Sequence, residues 1–336
     1  MSLWITEADV VGLLSLSEAI PALERGLAAQ AAGDAVNMNK AHLVWEGSHT
    51  LHAVGGLLEQ DDLVGTKTWA HTAGGATPLL ILWSAQTGRL LAVIEAFALG
   101  QMRTASMSGV ATRWLSDEKA EVFTIFGTGK QALPQIAAVA AVRPGLTEVR
   151  IWGRDEGRRQ RLAAAAAGLG YDFAICETGD AARAANGASI VTLATRAQEP
   201  FFTSAMAGTG AHINAIGAVT PEREEFTGDI LSRASLLVAD DPATATRLSR
   251  EIIRFIDCDP AQAGQIRPIS EIVASARSRP ADADLTVFKA LGMGISDLAI
   301  GAEILRRARD SGVGNAIADP EKVPPRLGKI PMRLPA

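Results

Sequence analysis

The chain has 336 residues, 48% of them hydrophobic and 21% charged, so it is long enough for two domains and has a globular composition. The formal net charge of −5 gives no reason to expect a nucleic-acid partner. Two cysteines, Cys176 and Cys258, are too few for a disulfide framework and are expected as buried thiols. The chain has no signal-peptide pattern and no membrane-spanning apolar stretch, which predicts a soluble, cytoplasmic protein.

The first third of the chain predicts a helix, a sheet and a second helix, in that order. Residues 17–33 place apolar side chains at helical spacing until Gly33 stops the pattern. Between residues 40 and 96, short runs rich in Val, Ile, Leu and Trp are separated by turn residues, which is typical of a mixed or antiparallel sheet. Residues 98–115, "ALGQMRTASMSGVATRWL", then predict a helix dense in small residues, able to approach another backbone closely.

From about Ser116 the pattern changes to short apolar strands that alternate with Ala/Arg-rich helical stretches. The predicted strands are "VFTIFG", "EVRIWG", "YDFAICE", "ASIVTLAT", "AHINAIGA" and "SLLVAD". Alternation of this kind predicts a doubly wound parallel sheet, so the fold class is α/β. The segment "LTVFKALGMGISDLAIGAEILRRARDSG" leads into a long helix, and a Pro-rich tail follows.

The segment "FTIFGTGKQALPQ" has the outline of a dinucleotide-binding turn. Gly127, Gly129 and Ala132 form G-x-G-x-x-A between a strand and a helix, which is the context that the motif requires. The first glycine permits a tight turn, the second lets a pyrophosphate approach the backbone N–H groups, and the small third residue allows close packing. We therefore favour cofactor binding over a purely structural turn. The turn residues Thr128, Lys130 and Gln131 are also expected to contact the cofactor.

The end of the next strand distinguishes NAD from NADP. An acidic residue there would bond the ribose 2′-hydroxyl, whereas an arginine suits a 2′-phosphate. In "VRIWGRDEGRR", Gly153 is followed by Arg154, with Arg158 one turn further, and Asp155 comes one residue later than Arg154. Arg154, supported by Arg158, predicts that NADP(H) is preferred, with NAD(H) as the alternative. The competing interpretation is that these arginines begin a solvated helix.

Six segments together resemble the ornithine cyclodeaminase/μ-crystallin family. They occur in the family's order as "KTWAHTAGG", "MRTASMSGVATRWL", "FGTGKQALPQ", "VRIWGR", "NAIGAVTPEREE" and "TVFKALGMGISDLA". The resemblance implies NAD(P)-dependent chemistry at a C=N bond next to a carboxylate. It also implies a Rossmann domain at 118–288 and a second domain, 1–117 with 289–336, that binds substrate and forms a homodimer.

The resemblance also implies roles for two basic residues. Lys67 of "GTKTW" matches the family's substrate lysine, and Arg103 of "MRTA" matches the arginine that holds the substrate carboxylate and contacts the cofactor. A guanidinium can bind a carboxylate through two hydrogen bonds, and an ammonium can protonate the imine nitrogen. The alternatives are a strand-edge lysine and a helix-surface arginine. Further residues expected at the cofactor are Thr195, Ala215, Ile216, Gly217 and Ala290.

Three positions depart from the family pattern. Lys40 stands where many members have an arginine facing the substrate carboxylate, and Ala290 replaces a common serine. Thr227 stands where cyclodeaminases carry an aspartate that acts as general acid/base, and Asp229 lies two residues further on. A threonine can hold a water or the imine nitrogen, but it does not relay protons as a carboxylate does. Cyclisation of ornithine is therefore not the favoured reaction, and Thr227 is retained only as a candidate catalytic residue.

The expected function is NAD(P)H-dependent reduction of a small anionic α-imino acid, cyclic or acyclic, to an amino acid, with Lys40, Lys67 and Arg103 binding the substrate. One alternative is a cyclodeaminase that uses tightly bound NAD⁺. Another, of a different class, is a cofactor-binding protein without catalysis, although a pure binder would have no need for Lys67 and Arg103. No metal site is expected.

The five histidines are weaker candidates. His212 begins a buried strand and is expected as a hydrogen-bonded core residue, whereas His71, near Lys67, is a minority candidate for the pocket. His42, His49 and His52 are close in sequence, but strand alternation is expected to scatter them.

Overall fold

The computed structural model describes residues 1–47, 49–276 and 279–327, and it confirms an α/β protein with two sheets. The strands are β1 Ser2–Ile5, β2 Ala35–Asn37, β3 Ala41–Trp45, β4 His49–Leu58, β5 Leu63–Thr72, β6 Gly75–Ala76, β7 Leu79–Ser84, β8 Leu90–Glu95, β9 Val122–Phe126, β10 Glu148–Trp152, β11 Ala174–Thr178, β12 Ile190–Leu193, β13 Ala211–Ala215, β14 Ala234–Ala239, β15 Ile266–Pro268, β16 Leu285–Lys289 and β17 Asn315–Ile317. The α-helices are α1 Glu7–Leu13, α2 Leu16–Ala32, α3 Phe97–Leu115, α4 Ala132–Val142, α5 Glu156–Ala167, α6 Ala181–Ala185, α7 Asp229–Arg233, α8 Pro242–Leu248, α9 Arg250–Cys258, α10 Ile269–Ser275 and α11 Gly294–Ser311.

The N-terminal sheet has the order β17-β1-β8-β7-β5-β4-β2, with β3 added to β4 and β6 to β5. Its pairs are antiparallel except β1 with β8, as the turn-separated apolar runs predicted. Helices α2, α3 and α11 share an apolar core with one face of this sheet. Helix α2 ends at Gly33, as predicted, and this glycine adopts the left-handed conformation.

The second sheet is parallel throughout and has the order β11-β10-β9-β12-β13-β16-β14-β15. The chain moves outward from β9 to β11 and then returns to the other side of β9 with β12, so the strand order reverses between β9 and β12. Ligands of doubly wound sheets bind outside the carboxyl ends of the strands at such a reversal. The predicted dinucleotide turn follows β9 directly, so it lies at this point.

Helix α3 is joined to the parallel sheet by a buried polar network. Asn214 donates to the Thr112 hydroxyl at 3.0 Å, and Thr286 donates to the Leu115 carbonyl at 2.8 Å. His212 bonds Thr286 and Asn214, each at 3.0 Å, and burial lowers the pKa of its imidazole to about 3. His212 is therefore a hydrogen-bonded core residue, as predicted, and its network docks α3 against β13 and β16.

The start of α11 lies directly against the N-terminal sheet. A Cβ atom on Gly294 would collide with the Gly55 carbonyl oxygen, so only glycine permits this approach. The Asn37 side chain accepts a hydrogen bond from the Ile295 N–H at 3.0 Å and satisfies one of the free donors of the first helical turn. These contacts fix the first turn of α11 against β4 and β2.

Some expectations from the sequence are wrong or incomplete. Strands β1, β2, β6, β15, β16 and β17 were not predicted, and β16 was hidden because its apolar run continues into the α11 segment. Cys258 is exposed and Cys176 half-buried, so they are not the expected buried thiols. No helix among the described residues is both long and apolar enough to cross a membrane. The division into 118–288 and 1–117 with 289–336 stays a prediction.

Candidate active site

A buried ion pair lies at the centre of the candidate site. Lys67 of β5 donates from Nζ to Asp297 of α11 at 2.5 Å, and the two side chains are 5% and 1% exposed. The Arg103 Nε atom of α3 lies 3.6 Å from the same Asp297 oxygen. Three elements that are distant in sequence therefore bring two cations and one carboxylate together.

The environment of Lys67 changes its protonation. Burial lowers the pKa of the Lys67 ammonium to about 8, and repulsion by Arg103 and Lys40 acts in the same direction. The Asp297 carboxylate opposes the shift by its charge and its hydrogen bond. An ammonium with a pKa this close to neutrality is suited to proton transfer.

The guanidinium of Arg103 lies directly against the backbone of Gly292. Gly292 has φ of +88°, and a Cβ atom there would come within 3.0 Å of one terminal nitrogen of Arg103. Within the described part of the chain, the two terminal nitrogens make no hydrogen bond, and the Nε atom is buried without one. The two-pronged end of Arg103 is thus available for a carboxylate.

Asp240, directly after β14, fixes the loop that contains Gly292. Its buried carboxylate accepts from the Leu291 N–H at 3.0 Å and the Gly292 N–H at 2.6 Å. Burial raises the pKa of Asp240, whereas these hydrogen bonds and the charge of Arg103 oppose the rise. The half-buried Lys40 has a lowered pKa, because of burial and then repulsion by Arg103, and Asp240 partly offsets this. Lys40 therefore belongs to the same electrostatic group as Arg103.

The predicted dinucleotide turn has the geometry that its motif requires. Gly127 has φ of +120°, and a Cβ atom there would lie 2.5 Å from the Ala194 carbonyl oxygen. Gly129 is exposed and a Cβ atom there would meet nothing within 4 Å, which leaves an open cradle before α4. Ala132, the first residue of α4, is fully buried. The residues present therefore fit a dinucleotide pyrophosphate.

Three residues of the turn, Thr128, Lys130 and Gln131, lie close to other parts of the protein. A Cβ atom on Gly153 would lie 2.8 Å from the Thr128 methyl group, so glycine allows β10 to approach the turn. The Lys130 ammonium lies 5.7 Å from the centre of the Phe97 ring at the start of α3. The Gln131 side-chain oxygen is buried without a partner among the described residues.

The start of α5 presents two arginines to solvent. Arg154 and Arg158 are exposed and form no ion pair within residues 1–47, 49–276 and 279–327. Asp155 accepts from the Arg158 N–H at 2.8 Å and so caps α5 with its carboxylate. Arg159, by contrast, is bonded to Glu177 and to the Gly153 carbonyl. The first two side chains are therefore free to bind an anion.

Glu225 was missed by sequence reasoning, although it orders two loops at the carboxyl edge. Its buried carboxylate accepts from the Thr195 N–H and hydroxyl, both at 2.7 Å. It also accepts from the N–H groups of Gly217 at 2.8 Å and Ala218 at 3.0 Å. The expected cofactor residues Thr195 and Gly217 thus share one support. The Thr195 hydroxyl is therefore engaged with protein groups, and contact of Thr195 with the cofactor stays a prediction.

The ends of β13 and β16 meet close to this support. Ala290 donates its N–H to the Ala215 carbonyl at 3.1 Å, and both residues are buried, as is Ile216. Ala290 lies two residues before Gly292, and Gly292 lies against the guanidinium of Arg103. The carboxyl end of β16 is therefore close to Arg103. The dinucleotide turn and the Lys67–Asp297–Arg103 cluster therefore flank the same end of the parallel sheet.

Within the part of the chain that the structure describes, Thr227 makes no contact with this cluster. Its hydroxyl donates to Asp229, and its N–H donates to the Phe202 carbonyl at 3.0 Å. Asp229 in turn accepts from Ser204. The hydroxyl is therefore already engaged with protein groups, and a catalytic role for Thr227 stays a prediction.

The histidines are arranged differently from the expectation. His42 and His52 face each other across β3 and β4, so the prediction that strand alternation scatters them is wrong. His49 is separated as expected and pairs with Glu46 at 3.2 Å. The described residues contain no group of three His, Cys, Asp or Glu side chains placed to hold a metal ion.

Two further residues, Asp297 and Asp240, were also missed by sequence reasoning. Asp297 lies in the quoted segment "GMGISDLA", where a charged residue in an apolar stretch is a usable signal of a functional group. Asp240 ends the predicted strand "SLLVAD", at the edge where parallel-sheet ligands bind.

Known proteins resemble the chain along nearly its whole length. The ketimine reductase mu-crystallin of Rattus norvegicus is 30% identical over 234 residues, 69% of this chain and 70% of the relative. The Δ1-pyrroline-2-carboxylate reductase of Thermococcus litoralis, solved with NADH and L-proline, is 25% identical, with a TM-score of 0.87, and the match covers 94% and 100% of the two chains. An archaeal alanine dehydrogenase dimer with bound NAD is 26% identical, with a TM-score of 0.86, and the match covers 94% and 99%. Relatives described as cyclodeaminases also exist.

The model of the ornithine cyclodeaminase/mu-crystallin family matches residues 2–312. This match spans every strand except β17, the dinucleotide turn and all three members of the Lys67–Asp297–Arg103 cluster. The chain belongs to the ornithine cyclodeaminase/mu-crystallin family.

Proposed function

We propose that this protein reduces the C=N bond of an α-imino acid to give an amino acid, with NAD(P)H as the reductant. The observation that carries the proposal is the buried Lys67–Asp297 pair beside the free guanidinium end of Arg103. This cluster adjoins the sheet edge that carries the dinucleotide turn. A bound dihydronicotinamide would supply the hydride to the imine carbon.

Each residue of the cluster has a separate role in this proposal. Arg103 binds the substrate carboxylate through its two terminal nitrogens and holds the plane of the C=N group. Lys67 donates a proton from Nζ to the imine nitrogen and is left as a neutral amine, which solvent reprotonates. Asp297 orients Lys67 and favours its ammonium form. Lys40 adds positive charge beside the carboxylate.

Relatives support this reaction class, since two of those compared are named as a ketimine reductase and an imino-acid reductase. A cyclodeaminase would regenerate its cofactor within each cycle and consume none. The decisive assay is therefore net oxidation of NADPH and NADH with a panel of cyclic and acyclic imino acids. Turnover of ornithine to proline without net cofactor oxidation would contradict the proposal.

We expect Arg103→Ala to lower kcat/KM for imino-acid reduction by about 10²-fold or more, because the substrate loses the group that fixes its orientation. Cofactor affinity, measured by NADPH fluorescence titration, should change much less. Arg113→Ala, on the same helix but paired with Glu24, is the matched control and should keep its turnover. Near-wild-type turnover of Arg103→Ala would show that the substrate-site assignment is wrong.

We expect kcat/KM to decrease as the pH rises through about 8, because Lys67 donates a proton only as its ammonium and its pKa is about 8. Asp297 favours the ammonium, so Asp297→Asn should lower the Lys67 pKa further and move this decrease to lower pH by about one unit or more. Asp310→Asn, an exposed position of the same helix, should leave the pH profile unchanged. Substrate ionisation is the same for all three proteins, so an unshifted profile in Asp297→Asn would exclude Lys67 as the donor.

We further propose that NADPH is preferred over NADH, because the exposed Arg154 and Arg158 can pair with a 2′-phosphate. Arg154→Ala should lower kcat/KM for NADPH by about tenfold or more, the effect of one charged hydrogen bond, and change that for NADH little. Arg161→Ala removes another exposed arginine, further along α5, and is the control variant for both kcat/KM values. A wild-type protein that favours NADH would refute this preference.

The outer face of the N-terminal sheet supports a homodimer. Val36, Leu43, Leu51 and Val64 are 55%, 61%, 43% and 38% exposed, and the strand register places them on the face opposite Lys67. A contiguous apolar surface of this kind usually marks an interface. We propose that two copies pair through this outer face. The archaeal relative was solved as a dimer, which supports the formation of a dimer but does not identify its interface.

Leu51→Asp should convert the dimer to a monomer in light scattering at micromolar concentration, because it buries a charge at the interface. Val11→Asp introduces the same charge at an exposed apolar site on α1 and should leave the dimer intact. A wild-type monomer at this concentration would contradict the proposal.

A further inference from the structure

Helix α3 contains two glycines, and contacts with the rest of the protein account for one of them. A Cβ atom on Gly109 would lie 2.8 Å from the Ile20 side chain, so the packing of α2 against α3 uses this space. Beyond its own stretch of helix, a Cβ atom on Gly100 would meet one atom of the described residues within 4 Å, the Lys67 Nζ at 3.8 Å. That distance is an ordinary van der Waals contact. Packing against protein therefore does not require glycine at position 100.

Glycine at this position costs the helix stability. Gly100 is the fourth residue of α3, and a glycine inside a helix is less stable than an alanine because the unfolded chain loses more conformational freedom. The same helix uses alanine at Ala98, Ala105 and Ala111. What Gly100 provides in return is room for another group beside the Lys67 ammonium.

This room adjoins the groups to which the proposed reaction assigns its main steps. Two sides of the Lys67 ammonium are already occupied, since Asp297 Oδ1 lies 2.5 Å from Nζ and the centre of the Trp69 ring lies 5.2 Å from it. Gly100 and Arg103 are three residues apart on α3, so they are neighbours on the helix surface. The space at Gly100 is therefore next to both the proposed proton donor and the proposed carboxylate ligand.

The amino-terminal end of α3 meets the dinucleotide turn, where the Lys130 ammonium lies 5.7 Å from the centre of the Phe97 ring. Along the helix, Gly100 lies between this end and Arg103. In the proposed reaction the imine nitrogen approaches Lys67 Nζ to about 3 Å in order to take its proton. A methyl group on residue 100, 3.8 Å from the same Nζ atom, would then be in contact distance of the substituents of the imine carbon.

We propose that Gly100 sets the size of the side chain that the substrate can carry, because that side chain occupies the room over Gly100 beside Lys67. The inference rests on the proposed imino-acid reduction and adds a specificity-determining residue to it. An α-imino acid carries its carboxylate, its nitrogen and its side chain in three directions around one planar carbon. With the carboxylate on Arg103 and the nitrogen at Lys67, the third direction leads to the amino-terminal part of α3, where glycine leaves space.

The first experiment compares the wild-type protein with Gly100→Ala by NAD(P)H oxidation. The substrates are the imines formed from ammonium and glyoxylate, pyruvate, 2-oxobutanoate or 3-methyl-2-oxobutanoate, and Δ1-pyrroline-2-carboxylate. We expect Gly100→Ala to lower the ratio of kcat/KM for the bulkiest imine that the wild type reduces to kcat/KM for the smallest by about tenfold or more, the effect of one misfitting methyl group. Gly100→Val should lower this ratio further. An unchanged ratio in both variants would overturn the inference while leaving the proposed function intact.

The matched control is Gly12→Ala, which adds the same methyl group to an exposed glycine of α1 with nothing within 4 Å, and it should leave the ratio unchanged. Alanine favours a helix more than glycine does, so Gly100→Ala should unfold at a temperature no lower than the wild type in scanning calorimetry. A lower unfolding temperature would show that Gly100 is needed for packing, and the inference would be wrong.

A fluorescence titration with NADPH separates the substrate from the cofactor as the occupant of this room. Gly100→Ala should keep the dissociation constant of the wild type for NADPH. A weaker affinity for NADPH, together with equal losses of kcat/KM for all imines, would assign the space to the dinucleotide and overturn the inference.

Binding of amino acids gives a readout that does not depend on turnover. With the protein loaded with oxidised cofactor, calorimetric titration measures the dissociation constants of L-alanine and L-valine. Their ratio, L-valine over L-alanine, should rise by about tenfold in Gly100→Ala. If the wild type reduces no imine, the proposed function fails, and this size-dependent loss would still support the role of Gly100. The same ratio in both proteins would contradict it.

Discussion

The buried contact between Lys67 and Asp297 is the interaction on which the candidate site depends. It joins residues 230 positions apart in the chain and connects β5 to the first turn of α11. Removing one member of a buried ion pair leaves an unpaired charge and costs about 3–5 kcal/mol, so the two residues specify each other. The pair therefore holds the N-terminal sheet and α11 in one arrangement, and this arrangement determines where Arg103 can lie.

Glycine sets the distance at which that contact forms. Gly294 lies against the Gly55 backbone, and Gly292 lies against the guanidinium of Arg103. A side chain at either position would push α11 or Arg103 away from the pocket. Close backbone approach and a short ion pair thus require each other, since a wider spacing would leave Lys67 and Asp297 buried but not bonded.

The sequence predicted those parts of the site that depend on local pattern. Gly127, Gly129 and Ala132 form their turn because a strand and a helix flank them, and Lys67 and Arg103 were found through segments that resemble the family. Asp297 was missed because its partner Lys67 is 230 positions away. Glu225 was missed because its partners are backbone groups of two loops, which no side-chain pattern reveals. The pairing of His42 with His52 was missed for a similar reason: it follows from the register of β3 on β4, which the sequence alone did not supply.

Buried carboxylates position the loops on both sides of the site, beside the dinucleotide turn and beside the Lys67–Asp297–Arg103 cluster. Glu225 collects the free N–H groups of the loops after β12 and β13, and Asp240 collects those of the loop after β16. Strand ends leave such donors without partners, and burying them unpaired would be costly. A carboxylate that accepts from two or more loops satisfies them and also fixes the spacing of those loops. An apolar residue of similar size would leave these N–H groups unpaired and would not fix the spacing of the loops. The acidic groups of this site thus serve as scaffolding. The two terminal nitrogens of Arg103 form no hydrogen bond among the described residues, so in the proposed function they are left to recognise an anionic substrate.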